Sequence, residues 1–152
     1  MPKFEMEISL PVCPENLSAD LLVMSGVNYE LSPILKMSAP QQWAAKPISE
    51  WPVNDDIFSS IILLFGFIPV DLHRFKFRSV NSMGFIESSK TMLNNVWSHE
   101  RTISADGSGA KIRDVVYFKS KLGFLGYLFK PVFQSIFAHR HKRLKSKYAK
   151  SS

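Results

Sequence analysis

The sequence predicts an α+β domain in which a curved antiparallel β-sheet closes over a long C-terminal α-helix. Three observations predict it. Asp106-Gly107-Ser108-Gly109 is a strong hairpin turn, flanked by two runs rich in β-branched and aromatic residues. From Ile57 onward several strands follow one another without intervening helices, a pattern of antiparallel rather than parallel sheets. Finally, apolar residues at 125, 128, 129, 132, 133, 136, 137, 144 and 148 recur with a 3.6-residue period. A sheet closed over a terminal helix makes a container, and a container suits a small molecule.

The elements follow in order. Lys3 to Leu10 alternates, with Phe4, Met6, Ile8 and Leu10 on one side and Lys3, Glu5, Glu7 and Ser9 on the other, as a half-buried strand does. Pro11 and Pro14 end it. Glu15 to Met24 has helical character, and Gly26 reads as its stop. Residues 27–56 are punctuated by Pro33, Pro40, Pro47 and Pro52, which predict ordered loop with one short strand or turn near Ile34–Met37. A strand is expected over Ile57–Phe67, a corner at Ile68-Pro69 and a second strand over Val70–Ser79. Asp71, His73, Phe75 and Phe77 share one face of that second strand, opposite Arg74, Lys76 and Arg78. Met83–Ser89, Leu93–Ile103 and Lys111–Lys119 are the next strands. A short helical turn from about Leu122 then leads to a main helix from Lys130 to Tyr148, because Pro131 fits a first turn.

A chain of 152 residues is most simply one domain, here residues 1–152 with a basic tail from about 140. The 12 phenylalanines suit an aromatic core or an apolar pocket. Cys13 is the single cysteine, so this chain forms neither an internal disulfide nor a thiolate zinc cluster. Acidic residues stand where a secretory leader would be basic and then apolar, so a cytoplasmic protein is expected. The longest apolar run, Ile57–Pro69, is too short for a transmembrane helix, which needs about 20 residues.

The net charge of +6 is unevenly placed. Up to residue 138 the cations and acids cancel, 13 against 13. The tail adds Arg140, Lys142, Arg143, Lys145, Lys147 and Lys150 with no acid. Cations suit a helix C-terminus, and such an end could also make weak contact with a membrane surface. Nucleic acid is not expected, since only Tyr148 offers a stacking surface among these charges.

If the hairpin is centred on Gly107-Ser108, paired residue numbers sum to about 215. Arg101 then faces Asp114, His99 faces Val116, Trp97 faces Phe118, and Ile103 faces Ile112. The face carrying these residues is the more apolar one and should point inward. Buried charges need opposite charges. His99, Arg101 and Asp114 are therefore either a structural ion pair with hydrogen-bonded histidines or the polar patch of an oily cavity. No nucleophile is marked by a motif and no Gly-rich phosphate loop is present, so neither cofactor nor metal is expected. His139 and His141 are two apart on a helix and point in different directions.

Phe65-Gly66-Phe67-Ile68-Pro69-Val70-Asp71 with His73, the strand Trp97-x-His99-Glu100-Arg101, Asp114 with Tyr117, and Phe137-x-x-Arg140-His141-x-x-Leu144 resemble bacterial members of the START-like, or SRPBCC, superfamily. That superfamily includes birch-pollen-allergen-like proteins, aromatase/cyclases and lipid-transfer domains. The resemblance spans about residues 57–148. It implies a helix-grip fold and a small hydrophobic ligand such as a lipid, an isoprenoid or a polyketide, held by a carrier or sensor. The expected lining is His73, Phe75, Phe77, Trp97, His99, Arg101 and Asp114 from the sheet, with Phe129, Phe133 and Phe137 from the helix. The alternatives are a cyclase or hydrolase using His99 with Asp114, and a peripheral lipid-handling protein using the basic helix end. The chain departs from the family pattern in its Pro-rich residues 27–56, where a second short helix is usual.

Overall fold

The computed structural model describes residues 1–149. Strand β1 (Lys3–Leu10) is followed by helices α1 (Pro14–Leu21) and α2 (Met24–Leu31), strand β2 (Leu35–Met37) and the short helix α3 (Gln41–Ala44). Strands β3 (Ser59–Leu64), β4 (Ile68–Arg74), β5 (Phe77–Asn81), β6 (Gly84–Thr91), β7 (Asn94–Asp106) and β8 (Gly109–Ser120) come next, and α4 (Gly126–Tyr148) closes the chain. All strand pairs are antiparallel, in the spatial order β1-β8-β7-β6-β4-β3-β2, and β5 also pairs with β6. The sheet curls around α4, with α1 and α2 covering the end of its concave face. This is the helix-grip α+β architecture expected from the sequence.

The long hairpin has the register the turn dictates. Trp97 pairs with Phe118, His99 with Val116, Arg101 with Asp114 and Ile103 with Ile112. Gly107 supplies the left-handed residue of the turn at φ +60. His99, Arg101, Ile103, Ile112, Asp114, Val116 and Phe118 are all buried, because period-2 alternation leaves no other choice once one face meets the core.

Several boundaries differ from the sequence reading. The corner between the first two central strands is the turn Phe65-Gly66-Phe67, just before Ile68-Pro69, and its left-handed residues are Phe65 (φ 56) and Gly66 (φ 85). The expected strand Val70–Ser79 is interrupted at Phe75-Lys76, so that β4 pairs with the Thr91 end of β6 and β5 with its Gly84 end. The break lets one edge follow the curl of the sheet. α4 begins at Gly126, not Lys130, and carries Pro131 inside it. The Pro131 carbonyl accepts a hydrogen bond from the Ser135 hydroxyl at 2.7 Å.

The largest correction concerns Gly26 and residues 27–56. Gly26 does not stop a helix; it lies within α2, where the backbone passes against α1. A Cβ there would stand 2.2 Å from the Asp20 carbonyl oxygen. The second short helix, read as missing, is therefore present, beginning just before the Pro-rich stretch. That stretch is an ordered wall: Ile48 donates its N–H to the Leu22 carbonyl at 2.8 Å, and Trp51 is buried against Phe58, Phe75 and Phe77. We expect Gly26→Ala to destabilise the protein by about 1–3 kcal/mol through overpacking against backbone that cannot yield. A urea midpoint measured beside that of Gly66→Ala reads this out, since no neighbour crowds Gly66 and its cost is one of conformation alone.

Candidate functional site

Arg101 projects from the middle of β7 into the space enclosed by the sheet, α2 and α4. Its guanidinium is bidentate to Asp114 (Nε to Oδ1 2.8 Å, Nη2 to Oδ2 2.9 Å) and bidentate to Glu30 (Nη1 to Oε2 and Nη2 to Oε1, both 2.7 Å). Arg140 of α4 donates from Nε to Glu30 Oε1 at 3.0 Å. The imidazole Nε2 atoms of His99 and His141 each lie 2.7 Å from Asp114, on Oδ1 and Oδ2 respectively. Six side chains from β7, β8, α2 and α4 thus form one buried cluster.

Burial opposes ionisation of Asp114, but the Arg101 guanidinium and the hydrogen bonds from His141 and His99 outweigh it and hold the carboxyl well below the usual range. Glu30 is likewise lowered: burial opposes its charge and the two arginines override it. For His99 burial wins over the pull of Asp114, so the imidazole favours its neutral form. Within the cluster the two guanidinium charges of Arg101 and Arg140 balance the two carboxylates of Glu30 and Asp114.

Beside this cluster lies a cavity of about 120 Å³. Its wall includes Leu31 from α2, Met37, Trp51, Phe75, Phe77 and Phe85 on one side, and Trp97, His99, Phe133, Ile136 and Phe137 on the other. His73, Glu87, Thr91, Asn94, Asp71 and Arg140 give it polar points. His73 Nε2 is hydrogen-bonded to Glu87 Oε2, and the Ser89 hydroxyl donates to the same oxygen at 2.6 Å. Burial opposes the Glu87 charge, and His73 with its hydrogen bond outweighs that to keep the carboxyl low. Asn94 is 1% exposed; its Nδ2 donates to Thr91 Oγ1 at 3.3 Å while its Oδ1 has no partner. Exchanging the amide's O and N would move the vacancy to the nitrogen without filling it. A residue of the wall thus carries a buried polar atom without a partner.

The structure sorts the residues singled out in the sequence. His73, Phe75, Phe77, Trp97, His99, Phe133 and Phe137 all line the cavity. Arg101 and Asp114 do not: they stand behind the wall, fully committed to the ion cluster. Phe129 also lies off the wall, 6.1 Å from Phe133 ring to ring. Glu30 went unnoticed because its helix was unread; an acid buried in a polar-looking segment leaves no period to detect. Arg140 was counted with the basic tail, yet it is buried in the cluster. Arg143 and Lys147 lie over the Tyr29 ring at 4.2 and 4.6 Å, so much of the tail's charge is packed against α2. Lys150 lies outside the described residues. His139 meets the Ser32 carbonyl and His141 meets Asp114, in separate directions.

Removing the clamp should be costly. Arg101→Met leaves Glu30 and Asp114 buried without their main counter-charge, and we expect a loss of about 3–5 kcal/mol in urea unfolding. The wild type should also lose stability with acid in two windows. His99 stays neutral in the fold but gains a proton in the unfolded chain below pH ~6.5, so stability falls as pH drops through that point. Glu30, Glu87 and Asp114 have depressed folded values, so their contribution is intact above pH ~4.5 and is lost as pH falls through those values. Urea midpoints at pH 7.5, 5.5 and 3.5 should decline stepwise.

Comparison with known proteins agrees with this architecture. A family model described as "Domain of unknown function (DUF8410)" matches residues 8–148. No curated protein matches the sequence. Among solved structures, protein CV1439 from Chromobacterium violaceum superposes with a TM-score of 0.73 at 10% identity, covering 97% of this chain and 98% of the other. A START superfamily protein from Mycobacterium smegmatis gives 0.67 at 8% identity, covering 99% of both chains. Ara h 8.0201 gives 0.55 at 17% identity, covering 95% of this chain and 98% of the other. The fold is the START-like, or SRPBCC, fold.

Proposed function

We propose that this chain, which belongs to the family described as "Domain of unknown function (DUF8410)", binds a compact hydrophobic small molecule in the cavity under α4, as a carrier or sensor. The observation that carries the reading is the unpaired Asn94 amide in the wall of an apolar cavity. A core built only for stability would place an apolar group there, because an unsatisfied buried polar atom costs about 1–3 kcal/mol. A ligand with one hydroxyl group would donate to that Oδ1 while its apolar body meets Trp97, Phe75 and Phe133. START-like folds are ligand-binding folds, which supports the general reading.

Size narrows the ligand. A cavity near 150 Å³ holds about one six-membered ring, so about 120 Å³ suits a single ring or a short branched chain. A longer lipid or polyketide would need part of its length outside the cavity, or α4 displaced. The single domain spans residues 1–152 in this reading, with the ion cluster as the rigid floor of the site.

The first test is extraction of the purified protein with organic solvent and mass spectrometry of what is released, checked against the intact complex. A stoichiometric small molecule is expected. The second is calorimetric titration with a cresol and with the xylene of matching size. The cresol should bind on the order of tenfold more tightly, the worth of one hydrogen bond in a dry site. Asn94→Leu should abolish that preference without lowering stability. Equal affinity of the native protein for the two probes would remove the role given to Asn94, and failure of both probes together with an empty extract would end the ligand-binding reading.

A further inference from the structure

The end of the molecule opposite the basic tail carries an unusual amount of exposed apolar side chain. It is built from the β3–β4 turn, the β6–β7 turn and the connection from β8 into α4. Phe124 is 81% exposed, Phe67 72%, Leu128 69%, Met92 63% and Phe65 61%. These segments meet at one end of the sheet: Met92 donates its N–H to the Leu72 carbonyl at 3.1 Å, and Lys121 donates to the Leu93 carbonyl at 2.9 Å. The β3–β4 hairpin projects further along the same direction.

This surface is not left over from folding. Phe65 holds a positive φ of 56, a conformation unfavourable for a bulky residue, and yet its ring is in solvent. Phe124, Phe67 and Leu128 gain nothing from the core they avoid. Patches of this kind on soluble domains mark interaction sites.

The charges state what kind of partner fits. Across residues 61–72, 88–97 and 117–136 there are four lysines, Lys90, Lys119, Lys121 and Lys130, and one acid, Asp71. Asp71 is turned inward, accepting the N–H groups of Leu72 and Met92 at 2.8 and 2.9 Å. Apolar tips ringed by unopposed lysines match an anionic bilayer surface, where rings enter the acyl boundary and cations meet the headgroups. A second copy docked face to face would set these lysines against their own kind without an exposed acid to pair them. We propose that this end docks the protein onto a membrane surface containing anionic lipid. The inference does not rest on the ligand assigned to the cavity. It also moves membrane contact away from the basic tail, where Arg140, Arg143 and Lys147 are engaged in packing.

The test is co-sedimentation of the full chain with vesicles of phosphatidylcholine alone and with phosphatidylglycerol at 30 mole per cent, at low and at physiological salt. Binding to the anionic vesicles only, weakened by salt, is expected. A double variant Phe67→Ser and Phe124→Ser should lower binding at least tenfold, and Lys119→Glu with Lys121→Glu should do so by about the same factor. All four side chains lie at the surface, so thermal unfolding should be unchanged and shows that the variants are folded. Lys142→Glu with Lys145→Glu, at the other end, should leave binding intact. Absence of native binding to anionic vesicles overturns the proposal, as does loss of binding in the Lys142/Lys145 variant alone. Sedimentation velocity of the lipid-free protein is the remaining arm: a dimer that Phe67→Ser and Phe124→Ser dissociate would make the face a self-interface and overturn the bilayer as its partner.

Discussion

Arg101 is the point on which the structure turns. It gives four hydrogen bonds to carboxylates from two elements distant in sequence, Asp114 across the hairpin and Glu30 on α2. A planar guanidinium can do this with fixed geometry, and a lysine cannot. Through Glu30 the cluster reaches Arg140, and through Asp114 it reaches His141, so one set of charges sets α2 and α4 against the sheet. Removing four charges from water is expensive. What the cluster supplies in return is a defined position for two helices whose apolar contacts alone would tolerate sliding.

That anchoring is asymmetric, and the asymmetry makes the rest of the molecule. The C-terminal half of α4 is held by Phe137, Arg140, His141, Leu144 and Tyr148, all buried. The N-terminal half spans above the sheet on Phe129, Phe133 and Ile136, which are only half-buried. The unfilled space under this second half is the cavity, and Leu128 on its outward side joins the exposed apolar end formed mainly by the neighbouring turns.

The polar points of the cavity belong to a different set from the anchoring cluster. His73, Glu87 and Ser89 are satisfied among themselves, and Asn94 is not. His99 joins the two sets: its ring lines the cavity and its Nε2 is bound to Asp114.

The sequence by itself determined everything that follows from local periodicity and turn chemistry. The hairpin register, the inward face of β7 and β8, the amphipathic terminal helix and the alternation of β1 were all legible, because period 2, period 3.6 and a Gly-rich turn need only neighbours to be read. Part of the cavity wall, His73, Phe75, Phe77, Trp97, His99, Phe133 and Phe137, was legible for the same reason, and the part built from residues 24–62 was not. Tertiary structure decided the rest. Whether Arg101 and Asp114 faced a ligand or each other depended on Glu30, which lies 71 positions from Arg101 on a short helix. Whether Arg140 and Arg143 were free cations depended on what α2 placed beside them. Whether Gly26 ended a helix or let two helices touch depended on a backbone oxygen of Asp20. Each of these is a contact made by α2, a short helix whose own sequence carries no clear period, so only the folded chain brings the deciding partner into range.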